Sequence, residues 1–274
     1  MKTLTPPYPW LAPLAARLQT QVDHPPQALC LVGVPGLGQA SLADAFARAI
    51  LACEHLSQHP DYLFIAPEPG KSIGIDQVRD MSAFCLIPPT YAPRKLVMIH
   101  ALESMTLAAQ QAFLKTLEEP VIPTTFIILC SQPNKLLPTV RSRCQLMALP
   151  TVPYADAKSW LAHQQIETTE ALYALSDGAP LSMGTPAFES RAEAYRCLRT
   201  YLSKKSDFVD AAKPFLKADP FEVLTGFYYA LVHEKQFALL DRCIALRQDY
   251  AENPNLHWEM QLTRFFIEAA DHAR

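Results

Sequence analysis

Only eight glycines serve the 274 residues of this chain, and three of them stand within six positions. The segment Gly33-Val34-Pro35-Gly36-Leu37-Gly38-Gln39-Ala40-Ser41 follows an unbroken apolar run, Ala28-Leu-Cys-Leu-Val32, and precedes helical spacing from about Ala40 to Cys53. Strand, glycine turn and helix in that order frame a phosphate-binding loop, whose working form reads G-x-x-x-x-G-K-[ST]. In the working form the Lys pairs with the β- and γ-phosphates and the hydroxyl holds magnesium. Here Gln39 stands at the Lys position and Ala40 at the hydroxyl position. Gln offers a dipole where a full charge is needed, and Ala offers the metal nothing. Ser41 comes one residue late, about 100° around the helix axis. The loop keeps its backbone frame and lacks its charges, which points to a nucleotide fold and away from ATP hydrolysis by this chain. An unrelated glycine turn in a strand–helix crossover is the plainer alternative.

The pattern around the loop supports an α/β reading. Tyr62–Ile65, Leu96–Ile99, Thr125–Cys130 and Leu146–Leu149 read as further strands. Ile75–Phe84 and Thr106–Glu119 read as helices, and Lys135–Arg143 as a short one. Continuous apolar strands alternating with helices predict a parallel sheet covered on both faces. Beyond Pro150 the strands stop. Tyr154–His163 and Thr169–Leu175 suggest two short helices closed by Ser176-Asp-Gly178-Ala-Pro180. From about Arg191 the pattern is helical throughout, over Ala194–Leu202, Phe208–Leu216, Phe221–His233, Phe237–Tyr250 and Leu256–Ala273. Pro214, Pro220 and Pro254 mark the joints.

Composition narrows the function classes. With 24 basic and 27 acidic residues the formal charge is −3, so no global field draws the chain to DNA or acidic lipid. The N-terminus MKTLTPPYPW lacks an apolar signal region, and the longest uncharged runs are broken by Pro, Gln, Thr or Ser short of membrane-spanning length, which predicts a cytoplasmic protein. The seven cysteines are odd in number, scattered, and without a C-x-x-C pair, so buried free thiols are expected. Cys53, His55 and His59 give three candidate metal ligands where structural zinc wants four, and zinc is not expected.

A hydrolytic site would also need an acidic pair at the end of its third strand. That strand ends in His100-Ala101 instead, and the nearest acids, Glu103 and Glu68, are misplaced in sequence. His100 reads as a structural residue. Two other segments suggest recognition: Ala112-Phe-Leu-Lys-Thr-Leu-Glu-Glu-Pro120, and, after a strand, Leu136-Leu-Pro-Thr-Val-Arg141-Ser142-Arg143-Cys144. Residues 121–155 hold no Asp or Glu, so Lys135, Arg141 and Arg143 lack a local acid. That favours an anionic partner outside the segment, either a neighbour's nucleotide or a DNA backbone, over the surface or intramolecular ion pair that is the plainer alternative for Arg143. Glu118 and Glu119 end a helix against its dipole, which hints at a contact across an interface or to a neighbouring loop.

LKTLEEP and LLPTVRSRC, taken with the degenerate loop, resemble the bacterial DNA polymerase III clamp loader, an AAA+ family, and within it the delta-prime subunits. The likeness covers residues 28–150. The loader's gamma/tau ATPase subunits share both motifs but keep the Lys, the hydroxyl and the acidic pair missing here. The resemblance implies a RecA-like AAA+ domain over residues 1–150, a small helical lid over 151–190, and an all-α collar or oligomerisation domain over 191–274. It implies a five-subunit ring with ATP at subunit boundaries, where the Ser-Arg-Cys arginine, Arg143, reaches a neighbour's γ-phosphate. Ser142 and Cys144 would fix its backbone, Cys144 as a core residue, while Lys135 and Arg141 are candidates for DNA phosphates. The implied role is a non-hydrolysing stator that loads the sliding clamp on primed DNA with gamma/tau and delta. ATP and magnesium would then sit on the neighbour, and polymerase activity, that of a nucleotidyltransferase holoenzyme, would belong to another subunit. The rival expectations are an active ATPase with an unusual loop and a divergent interaction protein outside any ring. The zinc insertion common in the family is absent. No arginine follows Gly178-Ala-Pro180 until Arg191, and the likeness beyond residue 190 is faint, resting on helical pattern and on Leu256–Leu262.

Overall fold

The computed structural model describes residues 4–68, 70–118, 122–204, 211–253 and 256–272, and the chain divides into two units, Met1–Val152 and Pro153–Arg274. In the first, five parallel strands form one sheet: β1 Ala28–Val32, β2 Tyr62–Ile65, β3 Lys95–Ile99, β4 Thr124–Cys130 and β5 Gln145–Ala148. Their order is β2-β3-β4-β1-β5, with registers such as Ala28↔Phe126 and Val32↔Ala148. β3 and β4 are buried throughout, and β1 at all but its last residue, which is why they are apolar without alternation. The edge strands are looser, leaving Phe64 on β2 and Leu146 on β5 exposed.

Alternation assigns the two sheet faces. Ala28, Cys30, Val97, Ile99, Phe126, Ile128 and Cys130 form one cluster with helices α3 (Ile75–Leu86) and α4 (Leu107–Glu118), through Val78, Met81, Phe113 and Leu117. The intervening strand residues face the opposite side, where α2 (Gln39–Leu51) packs on β1, β3 and β4 with Leu42 and Phe46 buried. All strand C-termini lie at one edge, where ligands bind in open parallel sheets.

The sequence pattern left one helix unmarked and placed the bounds of two others differently. A helix α1, Ala12–Gln19, precedes the first strand. The short helix expected over 135–143 is instead a 3₁₀ turn at Pro133–Lys135 and α5 at Pro138–Arg141, because each begins at a proline, the residue best tolerated in a first turn. In the second unit the helix expected at Ala194–Leu202 runs from Pro186 to Lys204 for the same reason.

That unit also contains Tyr154–His163, Glu170–Ala174, Pro220–His233, Phe237–Glu252 and Trp258–His272. Of the helix expected at Phe208–Leu216, residues 208–210 lie outside the described residues, Ala211 and Ala212 are helical, and Lys213–Phe215 is a 3₁₀ turn. Phe215, Phe227, Phe265 and Phe266 make an aromatic core, with Phe227 stacked on Phe265 at 5.2 Å. On the Pro220–His233 helix, Leu224, Phe227 and Leu231 are buried while Phe221 stays exposed. Arg191, the first arginine after the Gly178 turn, donates to the Leu175 carbonyl at 2.6 Å and pairs with Glu222 at 2.8 Å.

Two contacts give direct stability tests. Buried Asp61 accepts backbone N–H bonds from Thr90, Tyr91 and Ala92 and pairs with buried Lys95 at 3.1 Å. Burial opposes its ionisation, but these four donors outweigh it and hold its carboxyl far below the usual range. The folded-state value is depressed, so its stabilisation is complete above the unfolded value near ~3.9 and is lost as pH falls below it. Asp61→Asn should lower stability at neutral pH by about 3–5 kcal/mol, and its thermal midpoint should fall less than that of wild type between about pH 4 and pH 2. In the second unit, a Cβ on Gly226 would lie 2.3 Å from the Arg191 carbonyl oxygen, so the Pro186–Lys204 and Pro220–His233 helices cross where only glycine fits. Gly226→Ala should cost about 1–3 kcal/mol, read by denaturant unfolding.

Candidate functional site

At the C-terminal edge of β1 the glycine loop turns the chain into α2, the place where a phosphate cradle would stand. Gly36 and Gly38 have φ of 95° and 94°, left-handed values that glycine adopts without strain, and Gly38 caps α2. The side chain at the Lys position does not point outward to a ligand. Gln39 is buried, and its amide donates to the carbonyls of Gly33 and Val34 within the loop. Ala40 is exposed and contributes no oxygen, as its side chain requires. The loop is therefore closed on itself by a neutral amide at the position where a working site has a cation.

The N-terminal segment covers this loop, a feature the sequence pattern did not reveal. Tyr8 and Trp10 stack with centroids 5.0 Å apart, and the Trp10 indole donates to the Leu37 carbonyl at 2.9 Å. A Cβ on Gly38 would meet the Tyr8 ring at 2.8 Å and Leu11 at 3.1 Å. The aromatic–proline–aromatic triplet Tyr8-Pro9-Trp10 is the signal that could have flagged the contact.

The two acids nearest the site are engaged elsewhere. β3 ends at exposed His100 and at Ala101, whose φ is 57°. Glu103, in the following turn, accepts the Ser131 amide at 2.9 Å and the Ser131 hydroxyl, which ties the end of β3 to the end of β4. Burial raises its pKa, but the Ser131 donors outweigh that and hold the carboxyl below its ordinary value. Glu68 pairs with Lys71 at the surface, 2.6 Å away. Cys53, His55 and His59 do not converge, and among the described residues no three His, Cys, Asp or Glu side chains are grouped as a metal would need. His59 instead accepts the Asp61 amide at 3.2 Å.

The Ser-Arg-Cys segment is positioned from α4. Buried Gln110 donates to the Met105 and Lys135 carbonyls and accepts the Leu137 amide at 2.8 Å, which fixes the loop into α5. Pro138 starts α5, and buried Val140 anchors it in the core. The Thr139 carbonyl then accepts both the Ser142 hydroxyl at 3.0 Å and the Arg143 Nη1 at 2.9 Å. The Cys144 thiol donates to the Val140 carbonyl at 3.3 Å, and burial pushes it up to about 11, so it stays protonated and unreactive. Lys135, Arg141 and Arg143 are all exposed.

Arg143 corrects one expectation. The segment lacks acids, yet the chain supplies one from outside it: Glu118, the last residue of α4, lies 2.5 Å from Arg143 Nη2. The two are 25 residues apart in sequence and meet only because α4 and α5 pack together.

The glycine loop offers the sharpest test of this geometry. Gly38→Ala would force a side chain into a left-handed backbone and against Tyr8, costing about 1–3 kcal/mol. A thermal melt of the variant should show that loss, and the fluorescence of Trp10 should change as its stack loosens.

Comparison with known proteins fits this layout. The family model for the DNA polymerase III delta subunit matches residues 14–153. The chain is 34% identical over 223 residues to DNA polymerase III subunit delta' of Pseudomonas aeruginosa, covering 72% of this chain and 68% of that protein. It is 35% identical over 197 residues to the Escherichia coli subunit of the same name, covering 63% of this chain and 58% of that one. The chain thus spans only part of its relatives' length. Among solved structures, a DNA polymerase III gamma subunit-related protein of Thermotoga maritima superposes with a TM-score of 0.56 at 20% identity, over 94% of this chain and 99% of that one, a likeness of fold. With its sheet domain matched by the family model and two-thirds of a relative covered at 34% identity, the chain belongs to the delta-prime subunit family of DNA polymerase III.

Proposed function

We propose that this chain is a non-hydrolysing stator subunit of the DNA polymerase III clamp loader, donating Arg143 to the ATP site of a neighbouring gamma/tau subunit. The observation that carries the reading is a contrast within one domain. The loop that would bind phosphate in cis is closed by Gln39 and roofed by Tyr8, while the Ser-Arg-Cys arginine stands exposed on a rigidly pinned helix end. A domain that discards one half of a hydrolytic site and keeps the other suits a ring in which sites are shared between subunits. A guanidinium fits the retained half, because it is permanently charged, planar and able to bridge phosphate oxygens.

In this reading residues 151–190 act as the lid and 191–274 as the collar that joins the ring. Lys135 and Arg141 contact DNA phosphates, and the sliding clamp and primed template are met through the assembled complex with gamma/tau and delta. The chain has no catalysis of its own, and ATP and magnesium belong to the neighbour. The setting is the cytoplasm, and among the described residues no helix is long and apolar enough to cross a membrane.

The test is reconstitution with the gamma/tau and delta subunits, the sliding clamp and primed DNA. Arginine fingers contribute roughly 10³–10⁵ in rate, so Arg143→Ala should silence one site and remove one site's share of ATP hydrolysis without blocking assembly. Arg143→Lys should rescue poorly, since a point charge cannot reproduce the planar fork. Normal hydrolysis by an assembled Arg143→Ala loader would reduce the chain to a spacer. Saturable MgATP hydrolysis by the pure chain would instead make it an ATPase with an atypical loop.

A further inference from the structure

We propose that Glu118 is a positioning residue that parks Arg143 against its own domain until a neighbour's terminal phosphate displaces it. The inference rests on the reading of Arg143 as a trans finger and adds a second residue to that site. Glu118 is the last residue of a twelve-residue helix, where the negative end of the dipole disfavours a carboxylate. That placement is unfavourable alone and is offset by a cation, which Arg143 provides at 2.5 Å. The guanidinium's other arm donates to the Thr139 carbonyl at 2.9 Å, so both ends of the fork are folded back on the chain.

Exposure decides whether such a contact holds or releases. The Arg143 and Glu118 side chains are 39% and 41% exposed, so the pair is screened by solvent and worth little. A buried pair would not let go, whereas this one competes weakly. A terminal phosphate carries more charge than a carboxylate and binds a guanidinium in the same bidentate fashion. Release moves only the Arg143 side chain, because the Ser142 and Cys144 side chains stay bonded to the α5 carbonyls of Thr139 and Val140. The parked fraction lowers the population of free fingers, so removing Glu118 raises the apparent rate at that site.

The experiment uses the reconstituted loader with every ATP site inactivated except the one beside this chain, and reads kcat/KM for ATP against salt. Glu118→Gln should raise kcat/KM about two- to fivefold at low salt, the ratio to wild type falling toward one as salt screens the pair. Glu118→Ala should behave alike, which separates loss of the charge from loss of a side-chain contact. If Arg143→Ala abolishes that site's hydrolysis while both Glu118 variants match or fall below wild type at every salt, the parking role is overturned and the finger stands. If Arg143→Ala leaves hydrolysis intact, the finger falls and the parking role with it.

Discussion

Burial of the three central strands sets the conditions for everything else. β1, β3 and β4 sit between helices on both faces, and their side chains leave no room for charge except at the strand ends. Polar chemistry is therefore confined to the two rims of the sheet. At the N-terminal rim of β3, Asp61 and Lys95 form a buried pair that also holds the Thr90–Ala92 loop. At the C-terminal rim lie the glycine loop, His100, Glu103 and Ser131.

The sheet frame was legible because its physical cause is local. An apolar run of strand length, a glycine turn and a helix can each be read without knowing what packs on them, and the structure matches that reading at β1 and β2 and departs from it by one residue at ends of β3, β4 and β5. The lack of a cation and a hydroxyl in the glycine loop was legible at Gln39 and Ala40, since the chemistry of those side chains is fixed by their identity. What Gln39 does instead was not legible, because its hydrogen bonds to Gly33 and Val34 depend on the loop's closed path. The cover by Tyr8 and Trp10 joins segments about thirty residues apart, and no periodicity links them. The same holds for Glu118 and Arg143. A scan for nearby acids fails when the partner arrives from another helix.

The two halves of the candidate site differ in how they are held. The glycine loop is held by an amide on its own carbonyls and by an aromatic ring over Gly38. The arginine segment is held at its base by Gln110, Pro138 and Val140, while its charged tip rests on the Thr139 carbonyl and on a solvent-exposed partner, Glu118. Firm support under an exposed charged group suits the proposed role across a subunit boundary, where the tip would reach while its base does not shift.

The most direct measurement is a structure of the reconstituted loader trapped with magnesium and a transition-state analogue of ATP. This account predicts the Arg143 guanidinium within hydrogen-bond reach of the neighbouring subunit's analogue, with Gln39 and Tyr8 still closing this chain's own loop. Nucleotide bound in that loop, or an assembled ring in which Arg143 stays away from the neighbour's analogue, would contradict it.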